Sequence, residues 1–179
     1  MTPRIERLHP DDWARWRAVR LRALGADPAA FACSAHASLG PDATESTWRA
    51  ALVSRHVFVA VDERAADVAM VGLATDAEPE LISMWVAPEA RGTGVGRLLV
   101  ETVLATAGDR DVTLRVMAQN GPAIDFYRGC GFEPDGRAPD AEGTVRMRRA
   151  ATPATTRWPP PAERPRRPGG WPPARSVDQ

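Results

Sequence analysis

There is no lysine in this sequence: all 23 basic residues are arginine. That absence excludes whole classes of chemistry. A Walker-type phosphate loop needs a lysine before its Ser or Thr. A pyridoxal Schiff base needs one as its anchor. Cysteine is scarce as well, with only Cys33 and Cys130 and no CxxC spacing, so neither a disulfide scaffold nor a thiolate metal site is expected. The three histidines, His9, His36 and His56, are scattered without metal-ligand spacing, and no metal is expected. Nowhere does an apolar run reach the length that spans a bilayer, and MTPRIERLHPDDW lacks the apolar core of a signal peptide. These features lead us to expect a cytoplasmic protein with reduced thiols and no membrane partner.

Charge is balanced overall but divided along the chain. Residues 1–150 hold 18 Arg against 21 acids, a net of −3; residues 151–179 hold 5 Arg against 2 acids, a net of +3. Neither half carries the clustered basic surface of a nucleic-acid-binding domain. Eight of the last 29 residues are proline, with no apolar periodicity. Such a segment buries too little surface to offset its ordering entropy. The reading is one domain over 1–150 and a disordered Pro/Arg-rich tail over 151–179.

Within the domain, apolar periodicity predicts a short strand at Ile5–Leu8 and a helix from Pro10 to about Leu24. Asp42 and Glu45 suggest a capping box that opens a second helix. Three β-branched runs follow at Val57–Asp62, Val68–Ala74 and Leu81–Ala87. A helix packs Val95, Leu98, Leu99, Thr102 and Val103, and another strand covers Val112–Met117. Asn120 then caps a short helix with Pro122 in its first turn, and two short strands close the domain, near Phe132 and at Thr144–Arg148. The order βααβββαβαββ is α/β with a mixed sheet.

The chemistry concentrates in RGTGVGRLL. Gly92, Gly94 and Gly96 lie between a strand and a helix, so backbone amides converge on the positive end of a helix dipole. A dinucleotide fingerprint, GxGxxG, fails: position 97 is Arg97 and position 99 is Leu99. What remains is a pyrophosphate cradle without lysine or metal, with Arg91 and Arg97 as flanking cations. The same glycines would also suit a plain strand–helix junction.

A second segment, NGPAIDFYRGCGF, begins 24 residues after Gly96. Arg91, Gly94 and Gly96, with Asn120, Ala123, Phe126, Tyr127, Gly131 and Phe132, make the chain resemble the GNAT superfamily of acyl-CoA-dependent N-acetyltransferases. The matching positions are that family's R/Q-x-x-G-x-G/A coenzyme A loop and its N-x-x-A-x-x-F-Y-x-x-x-G-F segment. The resemblance covers about Leu81 to Phe132. It implies a mixed, mostly antiparallel sheet of about six or seven strands flanked by about four helices, with two parallel strands splayed at the coenzyme.

It also implies roles for individual residues. Acetyl-CoA would rest its pyrophosphate on Arg91, Gly92, Thr93, Gly94, Val95, Gly96 and Arg97. Its pantetheine arm would run along the backbone of Trp85 and Val86, with Asn120 on the far side. Tyr127, the only tyrosine, is the candidate acid that protonates the departing thiolate; it also suits an amphipathic core position. Glu80 is the candidate base, its pKa raised by burial at the sheet opening, with Glu78 or a water chain as substitutes; it suits a solvated hairpin charge beside Asp76 equally well. Cys130 reads as a small buried hydrophobe.

The acceptor would be a small-molecule or peptide amine. Acids at Asp42, Glu45, Asp76, Glu78 and Glu80 favour a cation weakly, and the loop holding Phe31, Cys33 and His36 would line its site. A homodimer is compatible with this reading. The rival function is a catalytically silent acyl-CoA sensor of the same fold.

Overall fold

In the computed structural model the described residues are 3–32 and 38–151. Cys33, His36 and the proline-rich tail from residue 152 lie outside them.

Seven strands form one sheet in the order β1-β2-β3-β4-β5-β7-β6. They are β1 Arg4–Leu8, β2 Arg55–Val61, β3 Asp67–Ala74, β4 Glu80–Val86, β5 Val112–Met117, β6 Glu133–Pro134 and β7 Thr144–Arg149. Among the described residues there are four α-helices: α1 Trp13–Ala26, α2 Glu45–Ser54, α3 Val95–Ala107 and α4 Gly121–Gly129. The chain order is the βααβββαβαββ expected, and the sheet is antiparallel except where β4 meets β5.

Strands β2 and β3 are buried along most of their length because helices cover both faces, so they read as continuous apolar runs. Helix α1 buries Trp16, Val19, Arg20, Ala23 and Leu24. Trp16 meets Trp48 of α2 edge-on, ring centroids 5.1 Å apart, both fully buried. The α3 core face is Val95, Gly96, Leu99, Val100, Val103 and Ala107. It is rotated slightly from the expected stripe, so Leu98 and Thr102 stand at its margin and Thr102 Oγ1 donates back to the Leu98 carbonyl.

One local expectation needs correction. The cap of α2 is Thr44, whose Oγ1 accepts from the Thr47 amide at 3.3 Å. Glu45 is the first helical residue, and its Oε1 accepts a hydrogen bond from Arg49 Nε at 2.7 Å one turn on. The cap lies two residues beyond Asp42, so Glu45 is not placed to reach back to it as a box requires.

Strand β4 creates the site. It pairs with β5 only at Glu80↔Thr113 and Leu81↔Leu114. From Ile82 onward its β5-facing edge has no strand partner among the described residues. Between Met70↔Trp85 and Gly72↔Ile82, β4 carries one residue more than β3. This bulge contains Ser83, held at φ 55°, a conformation rare for a residue with a Cβ. Gly72 permits the approach: a Cβ there would lie 2.9 Å from Ile82 Cγ1.

Candidate active site

The glycine turn is built as an open cradle. Gly92 and Gly94 sit at φ 76° and 87°, where L-residues are strained, and a Cβ at either would meet no atom within 4 Å. Gly94 is the N-cap of α3, and no side chain caps that end. Its first-turn amides therefore face outward for an acceptor, and a phosphate is the matching ligand. Gly96 has a different task. A Cβ there would lie 3.2 Å from Phe126 Cζ and 3.4 Å from Met84 Cε, so glycine lets α4 and the β4 bulge close on the first turn of α3.

The flanking arginines are more engaged than their exposed positions suggest. Arg91 Nη2 donates to Asp27 Oδ2 at 2.6 Å and its Nε to the Val86 carbonyl at 3.0 Å. Trp85 Nε1 donates to the same Asp27 oxygen at 2.7 Å. Asp27 thus ties the cradle's first residue to the end of β4. Arg97 Nη2 donates to the Gly129 carbonyl at 2.9 Å, which links the start of α3 to the end of α4. Thr93 Oγ1 donates to the Ala90 carbonyl at 2.7 Å and so turns inward.

Beside the cradle, where β4 and β5 part, lies a cleft of about 390 Å³. Glu80, Asn120 and Tyr127 all line it, together with Ser83 and Met84 of the bulge. Asn120 Oδ1 accepts from the Ala123 amide at 3.2 Å, so it caps α4 as the sequence suggests. Tyr127 is 7% exposed and packs edge-on against Phe126 and Phe132. Burial holds its phenol well above the usual range, and the neighbouring Cys130 adds in the same direction. Burial likewise pushes the Cys130 thiol up, which does not suit a nucleophile.

Glu80 is not an isolated carboxylate. Arg115 Nε donates to its Oε1 at 2.9 Å, and this pairing raises the Arg115 pKa. Glu78 pairs with Arg146 and Glu45 with Arg49, so three of the five acids expected to attract a cation already have arginine partners.

Several cleft residues escaped the sequence reading. Arg20 is 2% exposed, and it donates to the Leu39 carbonyl at 3.1 Å and to Ser83 Oγ at 2.7 Å. A signal existed: Arg20 lies four residues after Trp16 and three before Ala23, a charge inside an apolar stripe. Arg55, at the start of β2, gave no such signal, and neither did Ser83, because a bulge has no period. Asp27, at the end of α1, was equally silent. Among the described residues no His, Cys, Asp and Glu cluster could hold a metal, and no helix is long and apolar enough to cross a membrane.

Comparison with known proteins agrees with this geometry. The model of the acetyltransferase (GNAT) domain matches residues 54–134, which contain β2 through α4. The peptidyl-lysine N-acetyltransferase YjaB of Escherichia coli is 35% identical over 94 residues, 52% of this chain. The match spans only 60% of that relative's length. A phosphinothricin acetyltransferase from Sinorhizobium meliloti, solved with acetyl-CoA, superposes with TM-score 0.66 at 19% identity over 90% of this chain and 95% of its own. The PaiA N-acetyltransferase of Thermoplasma acidophilum, solved with coenzyme A, gives 0.66 at 17% identity over 84% of this chain and 99% of its own. At these identities the structural likeness is one of fold. The domain match over residues 54–134, together with the shared sheet topology, makes this chain similar to the GNAT superfamily of acetyltransferases and gives it that fold.

Proposed function

We propose that the protein is an N-acetyltransferase that moves an acetyl group from acetyl-CoA to a primary amine by direct attack in a ternary complex. The observation that carries this reading is the convergence of Glu80, Asn120 and Tyr127 on one cleft, beside an uncapped helix start and an unpaired strand edge. A binding module would need the cradle and the edge, but not a buried phenol in the adjoining cleft.

The residues present fit acetyl-CoA. The amides from Gly92 to Arg97 would hold the pyrophosphate, with Arg91 and Arg97 at its flanks. The Trp85–Val86 edge would take the pantetheine amides as an added strand would. The amide N–H near Val86 would serve as oxyanion donor, a contribution of about 3 kcal/mol in comparable sites. Asn120 keeps its NH2 group for the arm while its Oδ1 caps α4. Bound acetyl-CoA supplies a thioester whose C–S bond breaks as the C–N bond forms. Tyr127, kept protonated by burial, would give its proton to the leaving sulfur, and Glu80 would take the amine's proton, directly or through water.

The cleft volume suits a small amine. The relatives' names include both a peptidyl-lysine and a small-molecule acetyltransferase. The test is thiol release by the full chain from acetyl-CoA against a panel of primary amines. Release that depends on one class of amine supports the reading. Coenzyme binding with no release above hydrolysis for any amine would instead favour the silent sensor.

A further inference from the structure

We propose that Arg20 and Arg55 form a carboxylate-binding site in the acceptor half of the cleft, and that the acceptor is therefore an amine that carries a carboxylate. This deepens the acetyltransferase reading and rests on it.

Three guanidinium groups line the cleft; Arg115 is paired with Glu80, while Arg20 and Arg55 stand on the α1 and β2 side. Arg20 descends from α1 and is nine-tenths buried or more, its direction set by the Leu39 carbonyl and Ser83 Oγ. Arg55 comes from the first residue of β2, is half-buried and makes no ion pair among the described residues. Desolvation first, and the Arg55 charge with it, lower the Arg20 pKa to about 10. At neutral pH both remain cations, so the cleft holds two like charges close enough to oppose one another. An anion between them turns that repulsion into attraction. Guanidinium groups match the two oxygens of a carboxylate bidentately.

The sheet register then places the amine. Arg55 pairs with Ala74, and Ala74 pairs with Glu80, so the three lie in one row across β2, β3 and β4. Residues in register on neighbouring strands project from the same face. Arg55 and Glu80 are two strands apart, about 10 Å between Cα atoms. Ala74 lies between them with only a methyl group, so the floor of the cleft is open along this row. A carboxylate at Arg20 and Arg55 therefore points the rest of a small acceptor toward Glu80 and Tyr127. Phe31, Ile82 and Met84 add apolar wall. Arg20 and Arg55 stand on the α1 and β2 side and the Glu80–Arg115 pair on the β5 side, with the carboxylates of Asp76 and Glu142 also in the lining.

The test uses equilibrium binding, so it does not depend on turnover. The full chain, without coenzyme, is titrated with acetate, N-acetylglycine, N-acetyl-leucine and 4-acetamidobutyrate, each beside its own carboxamide. Inorganic phosphate is titrated as a separate arm. At least one carboxylate should bind about tenfold or more tighter than its carboxamide. In Arg55→Gln that ratio should collapse to less than about threefold, with the melting temperature unchanged. A ratio near one for every pair, no binding of any carboxylate, or a ratio that survives Arg55→Gln overturns the proposal. Phosphate binding tighter than every carboxylate overturns the carboxylate assignment. A parallel acetyl-CoA titration keeps the two ideas apart: its failure counts against the acetyltransferase reading, while the carboxylate ratio is read on its own.

Discussion

Arg115 Nε donates to Glu80 Oε1 at 2.9 Å across the only stretch where β4 and β5 are paired. The candidate base thus has an ion-pair partner on the neighbouring strand, and it stands at the point from which the two strands diverge. A carboxylate fixed in this way has a defined direction into the cleft. If Glu80 draws the amine's proton, Glu80→Gln should lower kcat by about a hundredfold or more, with the acetyl-CoA KM little changed. A fall of less than about tenfold would assign the deprotonation to water.

Tyr127 makes a sharper prediction. Tyr127→Phe keeps the ring that packs on Phe126 and Phe132 and removes only the hydroxyl. Turnover should fall by about 10²–10⁴-fold while acetyl-CoA affinity stays within about twofold. Equal turnover in the mutant would remove the acid role.

The same residue shapes stability at high pH. Burial raises the folded-state pKa of Tyr127 above its ordinary value near ~10. The folded protein keeps a proton that the unfolded chain releases, so the group's contribution is full below that pH and is lost as pH rises further. Wild type should therefore lose stability between about pH 9 and 11 more steeply than Tyr127→Phe. Parallel denaturant curves across that range would measure the difference.

Gly96 couples the glycine turn to the helix that carries Tyr127. In Gly96→Ala the new methyl would press on Phe126 Cζ at 3.2 Å and Met84 Cε at 3.4 Å. Overpacking of this kind costs about 1–3 kcal/mol. The expected result is a lower melting temperature and weaker turnover together. An unchanged melting temperature would mean that α4 shifts freely.

Much of this site was legible in the sequence. The glycine turn, the Asn120 cap and the burial of Tyr127 follow from local chemistry, and the structure places them as the residue pattern suggests. Strand and helix order followed from apolar periodicity, although the α2 cap shifted to Thr44. The long-range relations were not legible. Asp27 meets Trp85 and Arg91 across 58 and 64 residues of chain, and Arg20 meets Ser83 across 63. No periodicity encodes such meetings. The bulge at Ser83 adds a residue to β4, which an alternation pattern cannot register. Glu78 and Glu80, two of the acids expected to welcome a cation, are paired with Arg146 and Arg115 of other strands, which was not legible for the same reason.

The central claim is that the Gly92–Arg97 turn holds coenzyme A, and calorimetric titration of the full chain with acetyl-CoA tests it most directly. Gly94→Glu introduces a carboxylate into the cradle. Gly94→Ala shares the backbone strain of φ 87° without the charge and serves as its control. Wild type should bind, Gly94→Ala should bind more weakly, and Gly94→Glu should lose at least a further factor of about ten through repulsion of the phosphates. Binding by Gly94→Glu equal to that of the wild type, or no binding by a folded wild type, would contradict the account.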